Sequence, residues 1–305
     1  MEFLDEEGKK IEAPAVSGRM LKHWHLEGMR QLILHGEYSS VPLCAGCKAG
    51  EPIRPAVLTG EKLEQIKPQK LTDEANFVMK CAICDIHGYL IAQEAKGEAE
   101  EEIEEGNEKE KKGKKQKGFN LRRTSRTMFS WLIPVLGFDT TQKQVLHTRV
   151  SQQQEMAEGE SAAQMIFNKS YASGFYAFVS VLDVDRIGLV ELNLGTENPY
   201  AIDEDERKKR IKVAIEAYRL MISGQIGASL SHALPHSNPV EILIAYSETG
   251  PLPFPVSPMY RDYVQKTVGL MPEGAKLLYW GEDTPQGVQK KTTLNELFEE
   301  LLSKI

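Results

Sequence analysis

Residues 14–28 read PAVSGRMLKHWHLEG, and the way this stretch folds sets the reading of the rest. Ser17 is a helix N-cap type, and apolar residues recur after it at three- and four-residue spacing. The pattern predicts a helix from Ser17 to about Leu34, stopped by His35-Gly36. At about 100° per residue, Arg19, His23, Glu27 and Arg30 gather on one solvated side. Met20, Leu21, Trp24, Leu26, Met29, Leu32 and Ile33 form the apolar arc, and Lys22 and His25 fall inside it. His23 and His25 are two apart, so a regular helix does not let them share a metal. A lysine on the buried side needs either a route to water or an anion. Free amides and the dipole at the helix start also favour an anion, which makes Ser17, Gly18 and Lys22 a candidate phosphate site. Plain packing of Lys22 and His25 at the core edge stands beside that reading.

Outward from this helix, IHGYLIA (86–92), TMFSWLIPVL (127–136) and QKQVLHTRV (142–150) read as strands. SGFYAFVSVLDV (173–184) is apolar on both alternating sets, the pattern of a central strand covered on both faces. DEDERKKRIKVAIEAYRLMISG (203–224) is the clearest helix, closed by Gly224. VEILIAYS (240–247) is another strand. Two helices end the chain, the second opening on Thr293 and Glu296 as a capping box. This order predicts an α+β fold, with an antiparallel sheet and helices on one face, of the ferredoxin-like or RRM-like class. That class often binds single-stranded RNA, although fold alone assigns no function.

The 305 residues carry 37 Lys+Arg against 44 Asp+Glu, so net charge alone speaks against nucleic acid. The charge is uneven, however. Residues 94–118 hold nine Glu and seven Lys with one branched aliphatic residue, too little to bury, and read as a disordered loop. LRRTSR follows at once and offers Arg122, Arg123 and Arg126, whose forked guanidinium groups match phosphate oxygens. His147 and Arg149 share one strand face, and RNA contact, plain surface and an acid–base pair are all open to them. The polar stretch 151–164 reads as a mobile hairpin or arm. Gly224, Gln225 and Gly227 begin a glycine-rich loop that includes His232; it lacks the Gly-Lys-Ser/Thr ending of a P-loop. Asp183 and Asp185 end the long apolar strand. With His147 they would be the acids of a metal-dependent ribonuclease, though strand termination explains them equally.

All four cysteines fall in two C-x2-C pairs, Cys44/Cys47 and Cys81/Cys84. Each pair places two thiolates on one tight turn, and two such turns complete a closed tetrahedral zinc site. Four thiolates leave no open position, so the expected zinc is structural. The redox reading needs a strand-to-helix context that neither pair shows. No run of about 18 apolar residues suggests a membrane helix, and the polar, acidic start is unlike a signal peptide. The expectation is a cytoplasmic chain with no membrane partner.

PAVSGRMLKHWH resembles the first-helix signature of the RNA-binding backbone subunit of type I-A CRISPR interference complexes, the archaeal DevR-like autoregulator family. CDIHGYLIA, RRTSRTMFSWLIPV, ESAAQMIFNKSYASGFYAFVSVLDVDRIG and ERKKRIKVAIEAYRLMISGQIGASLSHALP, running into EILIAYSETGPLPF, follow in the same order. Together the blocks span most of residues 13 to 263. The resemblance implies an RRM-like palm (1–43 and 86–93 with 119–305), a zinc-containing finger insertion (44–85), the charged loop 94–118 and a thumb-like arm (151–164). It implies copies stacked head-to-tail on a guide RNA that pairs with single-stranded target DNA, beside other interference subunits, with cutting left to a separate nuclease. Lys22, His23 and His25 match the first-helix motif. Arg122, Arg123 and Arg126 match the basic strand entry, and Gly224–Gly227 the glycine-rich loop. The family carries a strand and an Asn-containing loop before the first helix; here about a dozen residues precede it, so that strand is expected to be missing. His232 stands where the family often has arginine, and loop 94–118 is peculiar to this chain. A zinc-containing transcriptional regulator is a further alternative, although no helix-turn-helix with a basic recognition helix is visible.

Overall fold

The computed structural model describes residues 1–5, 7–93, 119–149, 165–227 and 237–305. The charged loop 94–118, the arm 151–164 and His232 lie outside the described residues. The chain is mixed α+β. Two short strands, β1 (Glu2–Leu4) and β2 (Lys10–Glu12), pair antiparallel ahead of helix α1 (Gly18–His35). They occupy the region where the sequence reading expected no strand. α2 (Ala45–Ala49), the hairpin β3 (Ala56–Thr59) and β4 (Lys62–Gln65), α3 (Asp73–Lys80) and α4 (Ala82–His87) fill the cysteine-bearing excursion. β5 (Tyr89–Gln93) then pairs antiparallel with β6 (Phe119–Arg123), across the charged loop. The strand expected over 86–92 therefore begins later. Ile86 and His87 finish α4, and Gly88, at φ 71°, turns the chain where a Cβ would stand 2.3 Å from the Arg123 carbonyl oxygen.

The next strands form one interrupted ribbon. β7 (Thr127–Phe129), β8 (Ile133–Pro134) and β9 (Thr141–Arg149) run out; β10 (Met165–Ser173), β11 (Tyr176–Ala177) and β12 (Ser180–Leu182) return. β9 pairs with β10, β8 with β11 and β7 with β12, all antiparallel. The outgoing segment carries extra residues at 130–132 and 135–140, and the ladder breaks at both places. This corrects the central strand expected over 173–184. Its alternation is real, but Ala177 alone is buried in it, Phe175 is 47% exposed, and β12 pairs only with β7. Alternating apolar residues show a strand; they do not show that both faces are covered. The single antiparallel sheet expected from the element order is likewise replaced by seven separate small sheets among the described residues.

α5 (Glu204–Ile222) is capped by Asp203, whose Oδ1 accepts from the Glu206 amide at 2.8 Å. It crosses α1 closely: a Cβ on Gly28 would stand 3.2 Å from that of Ala217. The main core lies between α1, α4, α5, β5 and β6, with Met29, Ile83, Ile86, Ile187, Val213 and Ala214 fully enclosed. At the C-terminal end β13 (Ile242–Tyr246) pairs antiparallel with β14 (Lys276–Trp280), which pairs parallel with β15 (Gln289–Lys290). α6 (Tyr263–Leu270) packs on one side of this sheet through Tyr263 and Val264, against Tyr279. α7 (Leu294–Leu302) inserts Phe298 into the main core. Its expected capping box is half formed: Thr293 caps the Glu296 amide, while the Glu296 carboxylate accepts from Thr292.

Candidate functional site

The four cysteines come together as their spacing requires. Cys44 stands at the N-cap position of α2 and Cys47 lies in its first turn; Cys81 caps α4 and Cys84 lies in its first turn. All four are buried, and their sulfurs lie within 4.8 Å of one another. Cys44 Sγ and Cys47 Sγ stand 3.8 and 3.9 Å from Cys84 Sγ. Four sulfurs each about 2.3 Å from one ion would stand about 3.8 Å apart, so the donors fit a tetrahedral, thiophilic metal. The Cys84 amide donates to Cys81 Sγ at 3.3 Å, a bond that stabilises a thiolate. The close approach of the other three thiols holds the Cys44 thiol far below its ordinary range and pushes Cys47 up. Among the described residues this is the only group of three or more His, Cys, Asp or Glu that could hold a metal.

α4 ties this centre to the rest of the chain. Asp85, fully buried, accepts from Arg123 Nη2, from Arg210 Nη1 at 3.0 Å and from the Gly188 amide at 2.9 Å. Arg123 also donates to Glu74 at 2.7 Å and to the Leu189 carbonyl at 2.8 Å. Arg126 donates to Glu191 at 2.6 Å, and Arg186 reaches the same carboxylate oxygen. Burial opposes ionisation of Glu191, yet its bonds to Arg186 and Arg126 hold its pKa down at about 2. Arg123 and Arg126 are thus corrected as RNA contacts: at 4% and 0% exposure they spend their charge inside the protein. Only Arg122 of that trio faces out, opposite Leu90.

His25 is corrected in the same way. It is fully buried, its Nε2 lies 2.9 Å from the Ala214 carbonyl and its Nδ1 lies 3.0 Å from His87 Nε2. A carbonyl only accepts, so the His25 proton sits on Nε2. Nδ1 then accepts, and His87 donates from Nε2. The remaining His87 Nδ1 is a bare acceptor, buried without a partner. Burial, offset in part by the Ala214 bond, lowers the His25 pKa to about 4, and burial takes His87 well below its ordinary value.

The start of α1 carries the expected cap and several cations. Ser17 accepts from the Met20 amide at 3.3 Å, capping the helix as expected. Gly18 admits no side chain, since a Cβ would stand 2.3 Å from the Phe129 carbonyl oxygen. Arg19 and His23 are exposed, and Lys22 is half-buried with no hydrogen bond or ion pair among the described residues. Burial and the nearby charge of Arg54 lower the Lys22 pKa to about 8. Arg54, which the sequence reading passed over inside an irregular excursion, is oriented by a bond from its Nε to the Gly88 carbonyl at 3.1 Å. Lys22 and Arg54 thus lie near enough for one charge to act on the other, and neither has an ion pair among the described residues. No motif announces Arg54, because the excursion brings it to α1 only through the cysteine fold.

The other expected positions are scattered. Gly224 has φ 76° and ends α5, so it acts as a helix stop, and Gln225 is exposed beyond it. Gly227 closes the described part of that loop. His147 and Arg149 lie on β9 opposite Phe167 and Met165. Asp183 is engaged by Arg186 at 3.6 Å and Asp185 lies open to solvent, so the two do not form a compact acid pair.

A family model described as CRISPR-associated negative auto-regulator DevR/Csa2 matches residues 2–268. A CRISPR-associated protein Cas7/Cst2/DevR of Methanocaldococcus jannaschii is 28% identical over 314 residues, covering 99% of this chain and 87% of that one. One of the same description from Thermoproteus tenax is 27% identical over 319 residues, covering 97% and 84%. A CRISPR-associated aCascade subunit Cas7/Csa2 of Saccharolobus solfataricus is 27% identical over 266 residues, covering 84% and 71%. A solved chain of a CRISPR RNA-guided surveillance complex aligns with 59% of this chain and 71% of its own length, at 15% identity and a TM-score of 0.38.

Proposed function

This chain belongs to the DevR/Csa2 family of CRISPR-associated proteins, as a Cas7-type subunit, and on that premise we propose that it is a non-catalytic backbone subunit binding guide RNA along its phosphates. Copies assemble head-to-tail on the guide and present it for pairing with single-stranded target DNA, beside other interference subunits in the cytoplasm. Among the described residues no helix is long and apolar enough to cross a membrane. The observation that carries the reading is the pair Lys22 and Arg54 beside α1: two cations with no ion pair among the described residues, near the capped helix start. Arg122, His23, His147, Arg149, Gln225 and His232 are its proposed outer contacts, with Gly224 and Gly227 shaping the loop.

In this reading residues 1–43, 86–93 and 119–305 form an RRM-like palm, 44–85 a metal-binding finger, 94–118 a charged loop and 151–164 the thumb. Cys44, Cys47, Cys81 and Cys84 would hold zinc, which supplies a cross-link between α2 and α4 and no chemistry of its own. The residues of the chain do the rest. Lys22 and Arg54 neutralise phosphate, and the α1 amides orient it. The test is retention of single-stranded RNA in a filter assay at low salt. Tight binding without cleavage on addition of magnesium is expected; no binding by the folded protein overturns the reading.

A further inference from the structure

The cleft at the start of α1 contains a side chain with no role so far. It measures about 450 Å³ and is lined by Ser17, Gly18, Arg19, Phe129 and Trp131. Trp131 is 45% exposed, and its indole stacks on no other ring among the described residues. It stands on the first bulge of the ribbon, between β7 and β8. Bulges re-aim side chains, and this one is fixed on both sides. The Ser130 amide donates to the Val179 carbonyl at 2.8 Å, and the Val179 amide returns a bond of 2.8 Å to Ser130 Oγ. Leu132 and Val16 exchange backbone bonds at 2.9 and 3.0 Å. The indole therefore stands out from an anchored backbone, at low entropic cost to a ligand.

The chemistry of the lining points to one kind of ligand. Arg19 is exposed and unpaired among the described residues, and no lining residue is acidic. An aromatic face beside a free guanidinium is how sequence-tolerant sites hold single strands, because every base has a π-face. The cleft volume falls within the range of small-ligand sites.

We propose that Trp131 is a stacking platform for one unpaired nucleobase of single-stranded nucleic acid, with Arg19 beside it on the phosphate. This rests on the guide-RNA reading and adds a base contact that phosphate binding alone does not require. The test is fluorescence anisotropy with labelled oligouridylate and with an abasic sugar-phosphate strand of equal length. Trp131→Ala is expected to weaken oligouridylate binding about tenfold and to leave the abasic strand unchanged. Trp131→Phe restores most of the loss, and it keeps the test alive should the alanine variant fold poorly. Equal losses on both strands, or no loss on oligouridylate, overturn the platform. So does a variant that loses self-association and keeps its RNA affinity, which would assign Trp131 to a contact between copies. A wild type that binds neither strand defeats the guide-RNA reading itself, an outcome distinct from one that binds oligouridylate as well without Trp131.

Discussion

Acidification should unfold this protein through a single buried pair. His25 is fully enclosed, and its pKa is lowered from 6.5 to about 4. In the unfolded chain the imidazole takes up a proton near pH 6.5; in the folded chain it does so only near pH 4. Between these values the unfolded state binds more protons, so stability rises with pH across the window and falls on acidification. At 1.36 kcal/mol per unit, His25 alone removes about 3 kcal/mol between pH 6.5 and 4. The structural reason is plain. A proton on His25 Nδ1 would face His87 Nε2–H, donor against donor, in a site without water contact. The assay is urea denaturation followed by circular dichroism at a series of pH values, for the wild type and for a His25→Leu/His87→Leu variant. The wild type should lose at least about 3 kcal/mol more than the variant over this range, because His87, lowered by burial in the same direction, adds to the His25 contribution. Protonation of the cysteine thiolates affects both proteins alike and cancels. Parallel stability curves would refute the assignment of a neutral, buried His25.

Other consequences follow from the same framework. Asp85→Ala leaves Arg123 and Arg210 buried without their shared carboxylate, and should cost about 3–5 kcal/mol in chemical denaturation; a loss below about 1 kcal/mol would deny Asp85 that role. A strong thiophilic chelator should lower the thermal midpoint by loosening α2 from α4, and added zinc should restore it; an unchanged midpoint argues against a metal cross-link. Gly18→Ala should destabilise the start of α1 more than Ser17→Ala, which costs about 1 kcal/mol as a lost cap, because the new Cβ meets the Phe129 carbonyl; thermal melts of the two variants decide the order.

α1 and α5 were legible in the sequence because each couples a 3.6-residue apolar period to a boundary residue, the Ser17 cap in α1 and the Gly224 stop in α5. The cysteine centre was legible because four thiols at fixed spacing admit few arrangements. The arginines were not. Arg122, Arg123 and Arg126 look alike in LRRTSR, and which of them turns inward depends on Glu74, Asp85 and Glu191, distant in sequence and gathered only by the fold. Arg54 stayed hidden for the same reason. β10 to β12 misled because apolar residues on both faces record local strand character and say nothing about what covers each face.

The central claim is that Lys22 and Arg54 carry RNA phosphate at the start of α1. The most direct measurement is the salt dependence of single-stranded RNA affinity at pH 7, where Lys22, with a pKa of about 8, keeps its proton. The account predicts a steep fall of log affinity with log salt for the wild type, and a slope shallower by about 0.7 for Lys22→Ala. A slope unchanged by the loss of Lys22 and of Arg54 would contradict it.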